Sequence, residues 1–213
     1  MSARPLGWNP ELFVSPLWTA LRALDLQGPA AVNGEAALAG FWFHHRMVDT
    51  LELVTPEQSG LEALACQVRG LDCGLVQEQA LPGFLRFRAG KARLDLALEL
   101  GPPLDAERPC EDGIPTESLR DLAADRWLRM LGRPDLKLLV DLYFLARARV
   151  DLVEAARDAS LKDIGANRAA LAVVLYEMKL GELPSWSVRP VTASQLSEFA
   201  EQLKDRLALQ TFS

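Results

Sequence analysis

The chain of 213 residues contains few of the side chains that build metal centres or nucleophilic triads. His44 and His45 are its only histidines, which excludes a multi-histidine metal centre and leaves little material for a Ser/His/Asp triad. Cys66, Cys73 and Cys110 have neither a CxxC spacing nor the spacing of metal ligands, so we expect reduced thiols.

Long apolar runs and an excess of positive charge are also absent from the sequence. No run of about 18 apolar residues could span a bilayer, and the N-terminal residues do not resemble a signal peptide. We therefore expect a cytoplasmic protein with no membrane partner. The formal net charge of -6 gives no overall attraction to nucleic acid, although it is compatible with a local basic groove.

The first half of the chain mixes helical and extended patterns. Asn9-Pro10-Glu11 predicts an N-cap that opens a helix over residues 10–24, and further helices are predicted over residues 35–43 and after Pro56. Residues 48–54 have strand character. Residues 84–88 and 91–100 flank Ala89-Gly90, which predicts a tight hairpin. The leucines of its second strand, up to Leu100, share one face and should be buried, while the face with Asp95 can carry chemistry.

The second half of the chain reads as helical throughout. Residues 101–115 hold four prolines and two glycines, which is typical of a loop. The predicted helix caps in this half are Ser118 or Thr116, Asp151, Ser160, and Thr192 or Ser194. Gly132-Arg133-Pro134-Asp135 starts a further predicted helix, and a strongly apolar segment covers residues 167–180. We therefore predict an α/β core at 9–100, a linker at 101–115 and a helical domain at 116–213.

Two short stretches and one later strand contain the residues that indicate chemistry. Asn33-Gly34-Glu35 is a turn at the start of a predicted helix, where backbone N–H groups can face an anion. Thr50 and Glu52 are two residues apart in a predicted strand, so their side chains project from the same face. Asp95 lies on a separate strand, so the carboxylates of Glu52 and Asp95 could meet one cation.

These stretches resemble the signature of the AbiEii-type nucleotidyltransferases, the toxin components of bacterial type IV toxin–antitoxin systems. The family pattern is Gly-Gly-Thr-Ala-Leu, followed by His-Arg-x-Ser-x-Asp-Leu-Asp-Phe-Phe. In this chain residues 33–38 and 45–54 are similar to it; His45 and Arg46 are kept, and Thr50 and Glu52 stand for the two aspartates. Residues 92–96 resemble the later strand that carries the third acid of these enzymes.

The resemblance extends into the second half of the chain. Residues 118–126 resemble a family helix that ends at a lysine, which Arg126 replaces, and residues 186–199 look like the terminal helical region. The resemblance implies an α+β fold, with a nucleotidyltransferase-like mixed sheet flanked by helices and a C-terminal helical bundle after it. It also implies transfer of a nucleoside monophosphate from an NTP to an RNA (tRNA) end or a protein hydroxyl, and a cognate antitoxin as a partner.

The resemblance assigns a role to each site residue. Family members hold Mg²⁺ with an Asp-x-Asp pair and a third acid, and their turn presents N–H groups to the triphosphate. By this scheme Glu52 and Asp95 are the metal ligands, and together with Thr50 they are the catalytic residues. The residues that would contact the nucleotide or its phosphates are Asn33, Gly34, Glu35, Arg46 and Arg126.

Several of these positions depart from the family pattern. Thr50 is a neutral and weaker Mg²⁺ ligand than aspartate, and Asp49 could replace it only if the strand is shifted or bulged. Glu35 puts a negative charge in the turn at residues 33–35, where the family binds the triphosphate. Its alternative interpretation is a first-turn acid that interacts favourably with the helix dipole. Two hypotheses remain open: a Mg²⁺-dependent transferase with some activity, or a pseudoenzyme that needs no metal and acts as a binding or regulatory module.

Overall fold

Strands and helices alternate in the first part of the chain, and helices alone form the rest. The computed structural model describes residues 4–26, 30–99, 101–178 and 186–209. The chain divides into two units, Met1–Glu117 and Ser118–Ser213. The first is an α/β unit and the second a helical unit, as the α+β prediction requires. Across the described ranges, every helix is too short or too polar to cross a membrane.

The α/β unit contains a five-stranded mixed sheet. Its elements are a 3-10 turn at Pro10–Leu12, helix α1 (Ser15–Ala23), strand β1 (Ala31–Asn33), helix α2 (Gly34–Ala37) continued by a π-helix at Leu38–Phe43, β2 (Thr50–Thr55), α3 (Gln58–Arg69), β3 (Val76–Leu81), β4 (Phe84–Ala89) and β5 (Ala92–Leu98). The strand order is β1-β2-β5-β4-β3. Strands β2 and β5 are parallel, and the other neighbouring pairs are antiparallel.

Alternation along the central strands decides which face of the sheet is buried. Leu94 and Leu96 of β5 are fully buried, as the leucine pattern predicts, whereas Leu98 is half-buried. Leu51 and Leu53 of β2 are fully buried as well. Helices α1 and α3 contact the sheet with amphipathic faces that bury leucines such as Leu21 and Leu64. The intervening positions of the same strands carry the polar residues of the opposite face. Leu100 lies outside the described residues.

The prediction of one helix over residues 10–24 is wrong in one respect. Asn9 does cap a helical turn by accepting a hydrogen bond from the Glu11 N–H, but the chain becomes extended at Phe13 and Val14. Backbone hydrogen bonds explain the break, because the Val14 N–H donates to the Val48 carbonyl and the Val48 N–H donates to the Leu12 carbonyl. Pairing with a distant segment therefore outweighs the local helical pattern.

The hairpin between β4 and β5 turns one residue later than predicted. Ala89 and Ala92 are paired, so Gly90 and Lys91 form the turn. Gly90 has φ 58° and takes the first central position, as glycine does in type II′ turns. This shift changes which residue of β4 faces Asp95.

The segment 101–115 is not loop alone. It contains a two-stranded hairpin of β6 (Cys110–Glu111) and β7 (Ile114–Pro115). Beyond β7, Thr116 forms a bridge with Val32, and the Glu117 N–H donates to the Val32 carbonyl. The α/β unit therefore includes this segment and ends at Glu117.

The helical unit has five helices among its described residues. They are α4 (Leu119–Gly132), α5 (Leu136–Arg147), α6 (Leu152–Lys162), α7 (Arg168–Glu177) and α8 (Ala193–Leu209). The side chains of Ser118, Asp135, Asp151 and Asn167 cap the first four, and Thr192 accepts from the Gln195 N–H at the start of α8. The prediction of Ser160 as a cap is wrong, because it lies within α6. Leu180, the predicted end of the apolar segment, lies outside the described residues.

Buried polar contacts join the helices of this unit. The Trp127 indole N–H of α4 donates to the Leu152 carbonyl over 2.9 Å. The Lys162 ammonium of α6 contacts Asp125 and Asp121 of α4 at 2.7 and 3.1 Å. Burial acts to lower the pKa of Lys162, but these two aspartates outweigh it and raise the pKa above its ordinary value. The network holds α4 and α6 in one register.

Candidate functional site

Four polar residues form a row across the sheet, one from each of four neighbouring strands. Asn33 of β1 is paired with Glu52 of β2, Glu52 with Asp95 of β5, and Asp95 with Arg86 of β4. Directly paired residues project from the same face, and neighbouring strands lie about 4.8 Å apart. The sequence prediction that Glu52 and Asp95 face each other therefore agrees with the strand register.

Asp95 is held by two arginines. Arg86 donates to it in a bidentate arrangement, with Nε 2.8 Å from Oδ1 and Nη2 2.9 Å from Oδ2. Arg93 Nε lies 3.3 Å from Oδ2. The Asp95 side chain is only 8% exposed, whereas those of Arg86 and Arg93 are 26% and 34% exposed. Both carboxylate oxygens are thus engaged by guanidinium groups in a partly desolvated position.

Three nearby acids, Asp95, Glu78 and Glu52, act on the charge of Arg86. Its hydrogen bonds with Asp95 raise the pKa of the guanidinium above its ordinary value, and the charges of Asp95, Glu78 and Glu52 add to this against the effect of burial. The guanidinium also lies 5.1 Å from the centre of the Phe84 ring. Arg86 is therefore a permanently charged partner of the acids on this face.

Thr50 occupies the position next to Glu52 on the same face. Its register partner on β5 is Arg93, so a cation already adjoins this place. The Thr50 hydroxyl donates to Asp49 Oδ1 over 3.4 Å. Asp49 precedes β2, and its carbonyl accepts a 2.9 Å hydrogen bond from the Arg93 N–H, so its backbone continues the ladder with β5.

The turn before α2 has one unusual backbone conformation. Gly34 has φ 67°, a region that favours glycine. Asn33 has φ −115° and ψ 176°, which any residue adopts, and its side chain accepts a hydrogen bond from the Gly34 N–H. Asparagine in place of a first glycine therefore introduces no strain here, but its side chain caps an N–H group of the turn.

Glu35 is directed toward β2 and a buried arginine. One carboxylate oxygen accepts from Arg46 Nη1 over 3.1 Å, and the other accepts from the Thr50 N–H over 2.9 Å. The Arg46 side chain is 1% exposed and that of Glu35 is 14% exposed. These contacts bind the turn to the start of the strand that carries Thr50 and Glu52. Glu35 and Arg46 thus neutralise each other inside the α/β unit.

Arg126 lies in the helical unit and forms an ion pair there. Its Nη1 is 3.4 Å from Asp141 Oδ2, and the two side chains are 3% and 0% exposed. A charge so deeply buried and paired gives little attraction to a phosphate at the protein surface. The predicted phosphate contact of Arg126 receives no support from this geometry.

The histidines and the aromatic cluster before them pack inside the α/β unit. Phe41, Trp42 and Phe43 are buried, which confirms their interpretation as core residues. His45 is fully buried, with its ring 5.9 Å from that of Phe43. His44 has φ 50° and places Nε2 2.9 Å from the Gly7 carbonyl oxygen.

Solved structures share this arrangement of strands and helices. No protein-family model matches the chain, and no curated protein matches it. A candidate nucleotidyltransferase from H. pylori is similar, with a TM-score of 0.54, 15% identity, and 92% of this chain and 94% of that chain covered. JHP933 from Helicobacter pylori has a TM-score of 0.52 and 16% identity, and 92% of each chain is covered. The complex of ANT(2″)-Ia with adenylyl-2″-tobramycin has a TM-score of 0.50 and 16% identity, covering 72% of this chain and 97% of that one.

The chain has a nucleotidyltransferase fold. At these identities the likeness concerns the fold, and it confirms the predicted fold class.

The acids of this nucleotidyltransferase fold do not fit the Mg²⁺ ions that the resemblance implies. Among the described residues, no group of three or more His, Cys, Asp or Glu side chains could hold a metal. Thr50 offers a neutral oxygen, and both oxygens of Asp95 are engaged by Arg86 and Arg93. Mg²⁺ requires closely held, unhindered oxygen ligands, so the set present here lacks both charge and access.

Sequence reasoning missed Arg86, which pairs with Asp95 in the polar row across the sheet. A turn at Ala89-Gly90 would pair Arg86 with Arg93, whereas the turn at Gly90-Lys91 pairs it with Asp95. The sequence of β4 did contain a signal for it: Arg86 and Arg88 lie on one face of a strand that is otherwise apolar. A one-residue difference in turn position decided whether the acid and the arginine met.

Proposed function

We propose that this protein uses the nucleotidyltransferase fold as a binding or regulatory module, with transfer of a nucleoside monophosphate from NTP lost or greatly weakened. The observation that carries the proposal is the bidentate pairing of Asp95 with Arg86. In an active enzyme this carboxylate would bind a metal ion, but here Asp95 is hydrogen-bonded to the guanidinium of Arg86 through both of its oxygens. By its sequence resemblance, we further propose an AbiEii-type toxin as the ancestor of the pseudoenzyme.

The charge on the polar face supports this proposal. Nucleotidyl transfer passes through a crowded anionic phosphorus centre, which the known enzymes stabilise with metal ions on a cluster of acids. Here Glu52 and Asp95 share their face of the sheet with Arg86 and Arg93, two acids beside two arginines, and threonine replaces the first acid of the family pattern. A balanced face provides little driving force for collecting divalent cations.

The contacts of Glu35 support it in a second way. In the family pattern the turn residue at this position carries a hydroxyl group, but here a carboxylate occupies it and accepts from Arg46 and the Thr50 N–H. The Thr50 amide is therefore satisfied by the protein itself. An incoming triphosphate would have to displace the Glu35 carboxylate from the Thr50 N–H and from Arg46, which raises the cost of binding.

One observation favours the alternative of an active Mg²⁺-dependent transferase. Glu52 and Asp95 remain opposite each other on parallel strands, as two metal ligands would. The acceptor in that case would be an RNA (tRNA) end or a protein hydroxyl; ANT(2″)-Ia, with its adenylylated tobramycin, is an example of this fold with a small hydroxyl acceptor. An NTP and a cognate antitoxin are the partners this alternative requires.

A transfer assay separates the two functions. The wild-type protein is incubated with each of the four NTPs labelled at the α-phosphate, with Mg²⁺ or Mn²⁺, and with total tRNA, a protein mixture or no added acceptor. We expect no more label in any acceptor than the Glu52→Gln/Asp95→Asn double variant gives, because Asp95 is held by Arg86. Label transfer that disappears in the double variant would establish the active enzyme instead.

Nucleotide binding without transfer is measured with the same preparations. A shift in melting temperature with an NTP in the presence of EDTA would identify a metal-independent nucleotide-binding module. A ligand at about 100 times its Kd stabilises the folded state by about 2.7 kcal/mol, which such a shift reports readily.

A further inference from the structure

Within the polar row, Glu52, Asp95 and Arg86 resemble a cation site in which the guanidinium of Arg86 is the cation. Glu52 and Asp95 are register partners on β2 and β5, and Arg86 is the partner of Asp95 on the far side. Arg86 Nε and Nη2 reach the two Asp95 oxygens at 2.8 and 2.9 Å. The guanidinium therefore lies where it can satisfy a buried carboxylate without any external ion.

Burial makes a counter-charge necessary at this place. The Asp95 side chain is 8% exposed, and an ionised carboxylate with so little access to water is costly unless it is paired. Arg93 is a weaker partner, because its Nε lies 3.3 Å from one Asp95 oxygen and makes no hydrogen bond. Without Arg86, Asp95 loses two charged hydrogen bonds while Glu52 remains its register partner, so the negative charge at this place increases.

We propose that Arg86 is an internal counter-cation that takes the place of a divalent metal ion beside Asp95 and Glu52, so that removal of its charge opens a divalent cation site. The inference deepens the proposed function and rests on it, since an acid pair of this kind matters for a nucleotidyltransferase fold. Competition is direct, because both oxygens that a metal would use are hydrogen-bonded to Arg86.

The neighbouring Arg88 provides a matched control. It lies two residues along β4 on the same face, and its Nε is 2.8 Å from Glu78 Oε1. Both side chains of that pair are more than two-fifths exposed, at 43% and 45%. Removing the charge of Arg88 therefore changes the net charge of the strand by the same amount without releasing Asp95.

The test measures binding of Mn²⁺ alone, without nucleotide, from the electron paramagnetic resonance signal of the free ion. The proteins are wild type, Arg86→Gln, Arg88→Gln and the Arg86→Gln/Asp95→Asn double variant. We expect Arg86→Gln to bind Mn²⁺ at least about tenfold more tightly than wild type, since the ligand charge is no longer compensated. The Arg88→Gln protein and the double variant should bind no more tightly than wild type.

The inference would be overturned by no gain in Arg86→Gln, by an equal gain in Arg88→Gln, or by a gain that persists in the double variant. If Arg86→Gln does not fold by itself, Mn²⁺ should restore its circular dichroism spectrum and melting transition, and a failure to do so would also count against it. Label transfer by a wild type that binds no Mn²⁺ alone would refute the proposed function only. Asp95-dependent Mn²⁺ binding by wild type would refute this inference, whatever the transfer assay gives.

Discussion

Replacing Glu35 with serine, which restores a hydroxyl residue as in the family pattern, should lower the free energy of unfolding of the α/β unit by about 3–5 kcal/mol. The reason is the position of Arg46, whose side chain is 1% exposed and loses its carboxylate partner. The Thr50 N–H loses its acceptor at the same time. Glu35→Ala should have an effect of similar size, because the lost carboxylate is the cause in both variants.

The measurement is urea denaturation followed by circular dichroism, with hydrogen exchange of β2 and β5 peptides to assign the loss to the α/β unit. Glu78→Ala is the control, since its partner Arg88 is half-exposed and such pairs contribute about 0–1 kcal/mol. A Glu35→Leu/Arg46→Met double variant should recover part of the stability, because it removes both buried charges. A Glu35→Ser protein as stable as wild type would show that the carboxylate has no structural role.

Replacing Asp141 with alanine should lower the free energy of unfolding of the helical unit by about 3–5 kcal/mol as well. Arg126 is 3% exposed, so removal of the Asp141 carboxylate takes an ion-pair partner from a buried guanidinium. The comparison is Glu154→Ala, whose partner Arg157 is mostly exposed and one helical turn away, with an expected cost of about 0.2–0.5 kcal/mol.

Hydrogen exchange of α4 and α5 peptides, together with urea denaturation, locates the effect of Asp141→Ala. An Arg126→Lys variant adds information, since lysine is the residue that the family pattern places at this position. It keeps the charge but loses the planar guanidinium, so we expect a smaller loss than for Asp141→Ala. Equal stability of Asp141→Ala and Glu154→Ala would contradict the buried ion pair and return Arg126 to the candidates for phosphate binding.

Local signals in the sequence located most helix starts of the helical unit. Helix starts depend on short polar side chains that satisfy the first N–H groups, and this chemistry can be read from a few consecutive residues. Ser118 and Asp151 each accept from a backbone N–H as predicted, and Asp135 does so in the segment predicted to start the next helix. The wrong cap at Ser160 has the same origin, because a serine in the middle of a helix hydrogen-bonds back to the preceding turn, here to the Ala156 carbonyl.

The features that the sequence did not predict depend on contacts between segments that are far apart in the chain. The predicted helix over residues 10–24 is interrupted because Val14 pairs with Val48, which no local pattern contains. The placement of Glu52 beside Asp95 followed from strand periodicity and the family resemblance together. The partner of Asp95, however, depended on the turn position in the β4–β5 hairpin, because the predicted turn would pair Asp95 with Phe84, whereas the observed turn pairs it with Arg86.

The effect of Glu35 in the turn at residues 33–35 also depends on a contact with a distant residue. Its effect on an incoming anion depends on where the carboxylate points, and the residue that fixes this is Arg46, eleven positions later in the chain. A first-turn acid on a helix is also the ordinary interpretation, and α2 does begin with Glu35 in its first turn. Sequence alone identified the unusual residue, and the fold identified its partner.

The central claim is that the nucleotidyltransferase fold of this protein holds Asp95 with arginine instead of a divalent metal ion. The most direct measurement is a crystal structure of the wild-type protein soaked in Mn²⁺, with anomalous scattering recorded at the manganese edge. We predict no anomalous peak between Glu52 and Asp95, with Arg86 still donating to both Asp95 oxygens. A manganese peak within coordination distance of both carboxylates, with Arg86 displaced from Asp95, would contradict the account.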